Sequence, residues 1–94
     1  MRIRSFRHKG VRRLYQSGDR AGVSPKLLVR ITDILAIIEA VPQVTRIETF
    51  PGLRLHRLRG DRAGWWSVSV SGNWRMIFRV DGDEVVDLDL VDYH

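Results

Sequence analysis

Residues 65–80 read Trp65-Trp66-Ser67-Val68-Ser69-Val70-Ser71-Gly72-Asn73-Trp74-Arg75-Met76-Ile77-Phe78-Arg79-Val80. Two runs rich in β-branched and aromatic residues flank a three-residue turn, Ser71-Gly72-Asn73, and this is the signature of an antiparallel hairpin. If Val70 faces Trp74, then Val68 meets Met76 and Trp66 meets Phe78, so these apolar partners fall on one side of the sheet. A slip of one residue would turn all of them to the other side, so the pattern specifies its own register.

The hairpin extends in both directions. Asp81-Gly82-Asp83 is a second turn, leading into a strand over Val85–Val91 that adds Val86, Leu88 and Leu90 to the apolar face. Asp87 and Asp89 then share the opposite face with Arg75 and Arg79. Upstream, Leu53–Leu58 follows Pro51-Gly52 and reads as a strand, separated from the hairpin by the turn at 60–64. Ile3 and Phe6 mark a short strand or lead-in. Lys9–Gln16 places Val11, Leu14 and Tyr15 at helical spacing against a basic face of Lys9, Arg12 and Arg13. Ser24-Pro25 supplies an N-cap and a proline at the first helical position. Leu27, Leu28, Ile31, Ile34, Leu35 and Ile38 continue that second helix as one broad apolar stripe until Pro42. The expected fold class is α+β, with two N-terminal helices packed on one face of a mostly antiparallel β-sheet in a single domain spanning residues 1–94.

Composition bounds the function. The chain has 94 residues, 44% of them hydrophobic and 29% charged, as in globular rather than disordered proteins. There is no Cys, which excludes disulfides and thiolate metal or redox sites and fits a cytoplasmic setting. Neither an export signal nor a membrane-spanning stretch is evident, so no membrane association is expected. The net charge is +5, but all sixteen Lys and Arg lie in residues 1–79 with only five acids, whereas residues 80–94 hold six acids and neither Lys nor Arg. A basic body of this kind points to a polyanionic partner, with nucleic acid the first to test.

The chemistry-bearing residues are few. His8, His56 and His94 are the three histidines. His56 lies among Arg54, Arg57 and Arg59, while His94 follows Asp92 and Tyr93, and the strand meander is expected to bring 56 and 94 to one edge of the sheet. Cutting RNA without a metal needs a base for the ribose 2′-hydroxyl, an acid for the leaving 5′-oxygen and cations for the phosphorane. His56 and His94 can serve as base or acid near neutral pH, and Arg54, Arg59, Arg62 and Arg75 can neutralise phosphate. Asp92 can orient His94, and Tyr93 can stack on a base or donate a hydrogen bond. Trp65-Trp66 should place one ring in the core and one on the open face, where Trp65 can stack on Arg79 or on a nucleobase. Asp87 and Asp89 resemble a metal pair, but Arg75 and Arg79 opposite them make a charge-matched sheet face the better account. Arg59-Gly60-Asp61 is read as a basic turn. Phosphate-loop, zinc-site and serine-nucleophile motifs are missing.

Taken together, "SFRHKGVRRLYQSG", "GLRLH", "GDR", "WSVSVSGNWR" and the terminal "DYH" resemble the HigB family of bacterial toxins within the RelE/ParE-like superfamily, over nearly the whole chain. The resemblance implies a ribosome-dependent mRNA endonuclease that cuts translated messages in the decoding site of the small subunit. It would need no cofactor, would be neutralised by a HigA-type helix-turn-helix antitoxin, and would reach operator DNA through that antitoxin. Carried to matching positions, the family's functional residues are His56, Asp92, Tyr93 and His94, with Arg59 and Arg75 as phosphate contacts. Arg59 replaces the Lys expected in the family's "KGDR" turn, which preserves charge but makes proton donation at this position doubtful. Two other readings remain: a non-catalytic, ParE-like inhibitor of gyrase, and a basic module that chiefly sits with its antitoxin on DNA. Fold alone does not separate them.

Overall fold

The computed structural model describes residues 1–92; Tyr93 and His94 lie outside the described residues. Five strands, β1 (Arg2–Ile3), β2 (His56–Arg57), β3 (Trp65–Ser71), β4 (Trp74–Asp81) and β5 (Glu84–Asp92), form one sheet. Its order is β1-β5-β4-β3-β2, with β1 parallel to β5 and the other pairs antiparallel. Helices α1 (Lys9–Ser17) and α2 (Leu28–Ala40) pack their apolar residues into the cluster formed by one sheet face. The architecture is the α+β arrangement expected. Among the described residues no helix is long and apolar enough to cross a membrane.

The core follows from the alternation. Val68 pairs with Met76 and Trp66 with Phe78, as the hairpin reading requires, and Val68, Met76 and Phe78 are fully buried against Ile31, Ile34 and Ile38 of α2. The turn end differs: the register shifts between Ser69 and Ser71, so Trp74 pairs with Ser71 rather than with Val70. This bulge absorbs one residue while Val70 stays buried in the core.

A second bulge corrects the reading of β5. Asp87 has φ +55, and the β4–β5 register shifts between Ile77 and Arg79, so that Val85 rather than Val86 enters the core beside Leu88 and Leu90. Arg79 is opposite Val86 and Ile77 is opposite Asp89. The Ser5 hydroxyl accepts from the Asp87 N–H at 2.9 Å, and Phe6 bridges Leu88. The N-terminal segment therefore satisfies the backbone group that the bulge removes from the ladder.

The helix limits also differ in part. His8 caps α1 through its side chain, which accepts from the Val11 N–H at 3.1 Å, and Gly18 ends the helix at φ +72. α2 begins at Leu28, three residues after Pro25, because Ser24–Leu27 forms a separate turn in which the Leu27 N–H reaches the Ser24 carbonyl. It ends before Pro42 as expected, and the Met1 nitrogen donates to the carbonyls of Ile38, Glu39 and Val41. Those are carbonyls that a helix end leaves without partners. Gly10 and Gly22 touch backbone to backbone, so a Cβ on either would run into the other; this contact fastens the start of α1 to the loop before α2.

Candidate active site on the open face of the sheet

The face turned away from the helices carries Trp65, Ser67 and Ser69 of β3, Arg75, Ile77 and Arg79 of β4, and Asp89 and Val91 of β5. These are the positions that alternate with the core residues. His56 pairs with Ser67, so its imidazole belongs to this face, while Arg57 pairs with Trp66 on the helix side and stacks over its ring at 4.7 Å. One row crosses four strands: His56, Ser67, Ile77 and Asp89. The next row toward the end of β5 holds Ser69, Arg75 and Val91.

The expected strand over Leu53–Leu58 contracts to His56–Arg57. Arg54 interrupts it with φ +52, a left-handed conformation that a side chain with a Cβ adopts only at a cost of about 1–2 kcal/mol. The turn has a local consequence. It brings the Arg54 carbonyl 3.1 Å from His56 Nδ1. Because a carbonyl can only accept, Nδ1 carries the proton, and in the neutral ring Nε2 is left as a free acceptor. The ring is exposed, as are Arg54, Arg59 and Arg62. Arg59 and Arg62 flank the short 3₁₀ turn at Gly60–Arg62 that follows β2.

Arg75 differs from these surface arginines. It is half-buried, and its Nη1 is shut off from solvent. A guanidinium can hold two oxygens of a phosphate through a fork of two N–H groups. Of the two expected carboxylate partners, only one pair forms: Arg79 meets Asp87 at 3.6 Å, whereas Asp89 faces Ile77 and accepts from the Leu90 N–H. Arg75 stands opposite Val91 and makes no ion pair with an acid among the described residues. Among the described residues no group of three or more His, Cys, Asp or Glu side chains stands ready to hold a metal ion.

The expectation that His56 and His94 come to one edge of the sheet falls on His94, which lies outside the described residues. β2 is an edge strand, but β5 lies inside, between β1 and β4. Three interstrand steps separate β2 from β5, about 14 Å. Asp92 pairs with Trp74 and is therefore part of the sheet rather than a loose end. Tyr93 and His94, the other expected site residues, lie outside the described residues.

The other half of the open face is filled by an apolar and aromatic layer. Ile77, Leu58 and Val86 are buried without belonging to the main core. Trp65 stands on this face, as expected, and stacks on Arg79 at 5.9 Å; Arg7, from the segment after β1, lies over the same ring at 5.1 Å. The signal for this second apolar layer was Ile77 itself, an apolar residue on the charged side of its strand. On the helix side, a groove of about 330 Å³ between α1 and α2 is lined by Leu14, Tyr15, Leu35, Ala36 and Glu39 among others. Burial, and then Glu39, push the Tyr15 phenol above its usual pKa, so it stays neutral there. This groove lacks the imidazole and guanidinium groups of the open face.

Comparison with known proteins agrees with this geometry. Residues 4–94 match the family described as the RelE-like toxin of type II toxin-antitoxin system HigB. The chain belongs to the HigB-like toxin family. It is 38% identical over 93 residues to Endoribonuclease HigB from Proteus vulgaris, covering 98% of this chain and 99% of that protein. The fold is shared with the YoeB/ParE toxin from Agrobacterium tumefaciens, at a TM-score of 0.59 and 18% identity, covering 100% of this chain and 99% of that one. It is also shared with the YoeB–YefM complex from Staphylococcus aureus, at a TM-score of 0.57 and 15% identity, covering 100% and 99%. As a HigB-like protein the chain is the toxin of a type II toxin-antitoxin system, and a cognate antitoxin is its partner.

Proposed function

We propose that this HigB-like toxin is a ribosome-dependent endoribonuclease that cuts messages during translation, and that the open face of the sheet carries its site. The observation that carries the reading is the Arg54-held His56, whose Nε2 is free to accept a proton beside a set of arginines. The name and 38% identity of the Proteus vulgaris relative support it.

In this reading His56 Nε2 removes the proton from a ribose 2′-hydroxyl, and the 2′-oxygen attacks the adjacent phosphorus. The phosphorus–5′-oxygen bond breaks, and the departing oxygen takes a proton from an acid. The products are a 2′,3′-cyclic phosphate and a 5′-hydroxyl. Arg75 holds the phosphoryl oxygens through its fork, where a fixed cation stabilises the charge that develops. Arg54, Arg59 and Arg62 grip neighbouring phosphates. The acid is sought among Asp92, Tyr93 and His94; Arg59 is unsuited to the role because guanidinium does not release its proton. Base and acid act on the 2′- and 5′-oxygens of one phosphate, so the message must be held in a single in-line geometry between them. That supports a dependence on the ribosome, which would hold the message in line for attack.

The partners proposed are the small ribosomal subunit with its message, a HigA-type antitoxin, and operator DNA through that antitoxin. Expression of the protein in growing cells, followed by mapping of message ends, tests the reading. Cuts within reading frames that leave a 5′-hydroxyl are expected. Intact messages together with trapped gyrase-cleaved DNA would replace the nuclease by a ParE-like inhibitor.

A further inference from the structure

Two buried polar atoms of the open face, the Ser67 hydroxyl and Arg75 Nη1, have no hydrogen-bond partner among the described residues. Ser67 is completely buried, in the middle of β3. A buried donor or acceptor left without a partner costs about 1–3 kcal/mol, and nearly all such groups in folded proteins are satisfied. Here a lone acceptor and a lone donor occur together. Ser67 pairs with Ile77, and Arg75 pairs with Ser69, so the two are diagonal neighbours on adjacent strands of one face, a separation that a long side chain spans. On its other flank Ser67 pairs directly with His56. The serine therefore stands between the imidazole and the half-buried guanidinium, and alanine there would fold without leaving an unsatisfied hydroxyl.

We propose that Ser67 is a positioning residue of this site: in the substrate-bound state its hydroxyl accepts the hydrogen bond from Arg75 Nη1. That bond fixes the guanidinium plane, so that Nε and Nη2 present a rigid fork to the phosphate beside His56. The proposal rests on the nuclease reading above and adds to it a residue that does not itself touch the substrate.

The test is single-turnover cleavage of ribosome-bound message by the wild type, Ser67→Ala, Ser67→Thr, Arg75→Lys and the Ser67→Ala/Arg75→Lys double variant, with thermal unfolding of each. Ser67→Ala is expected to melt no lower than the wild type, since it removes an unpartnered hydroxyl, and to cleave roughly tenfold more slowly, the scale of one hydrogen bond. Ser67→Thr retains the hydroxyl and is expected to recover most of that loss. Arg75→Lys removes the fork, so adding Ser67→Ala to it should produce little further loss. An unchanged rate for Ser67→Ala, a full tenfold additional loss in the double variant, or a melting temperature lowered by several degrees would overturn the positioning role and leave the nuclease reading standing. A wild-type protein that does not cut the message would remove both.

Discussion

At the residue scale the site depends on one strained position. Arg54 adopts φ +52, and its carbonyl lies 3.1 Å from His56 Nδ1. The side chain and the backbone of Arg54 therefore have separable tasks. Glycine occupies positive φ without penalty, so Arg54→Gly should preserve or slightly raise the melting temperature while weakening ribosome binding through loss of one cation. Arg54→Val places a β-branched side chain in the same conformation and should lower stability by about 1–2 kcal/mol. Equal melting temperatures for the two variants would show that the positive φ is not maintained. The sequence names His56 and its basic neighbours, because imidazole and guanidinium declare their chemistry by type. It does not reveal the left-handed turn, since Arg is not a residue that marks positive φ as Gly or Asn does.

At the element scale the hairpin over 65–80 was legible, and the strand after it only in part. Alternation in Trp66, Val68, Met76 and Phe78 survives into the structure because each lost pairing would turn a large apolar side chain to solvent. In β5 the run Val85-Val86 allows either valine to face inward, and pattern alone does not choose. The choice is made by Asp87, whose positive φ shifts the register, and by Ser5, which accepts its N–H. Asp87→Gly should then be nearly neutral in stability, because it relieves the backbone and gives up only an exposed ion pair with Arg79. Asp87→Val should cost about 1–2 kcal/mol in chemical denaturation. A Val variant as stable as the Gly variant would mean that the bulge moves elsewhere at little cost. The start of α2 was misread for a related reason. Ser24-Pro25 is a good helix opening by local rules, yet the chain completes a separate turn there that buries Val23 and Leu27 in the core before the helix sets in.

At the scale of the whole molecule, binding and chemistry draw on one uneven charge distribution. The sixteen Lys and Arg of residues 1–79 supply a long-range attraction for a polyanion, while the acids gather in 80–94 beside the candidate acid-base residues. The placement of Asp92 was only half legible. Turn spacing fixes which strands are joined in sequence, but the parallel addition of β1 outside β5 moves β5 from the sheet edge to its interior. Removing one imidazole should therefore leave attraction intact and remove chemistry. The decisive measurement is single-turnover cleavage of message on programmed ribosomes by wild type and His56→Ala, with ribosome binding measured in parallel. The account predicts an unchanged binding affinity and a cleavage rate lowered by roughly 10²–10⁴, the scale of losing one proton-transfer group; cleavage by His56→Ala at the wild-type rate would contradict it.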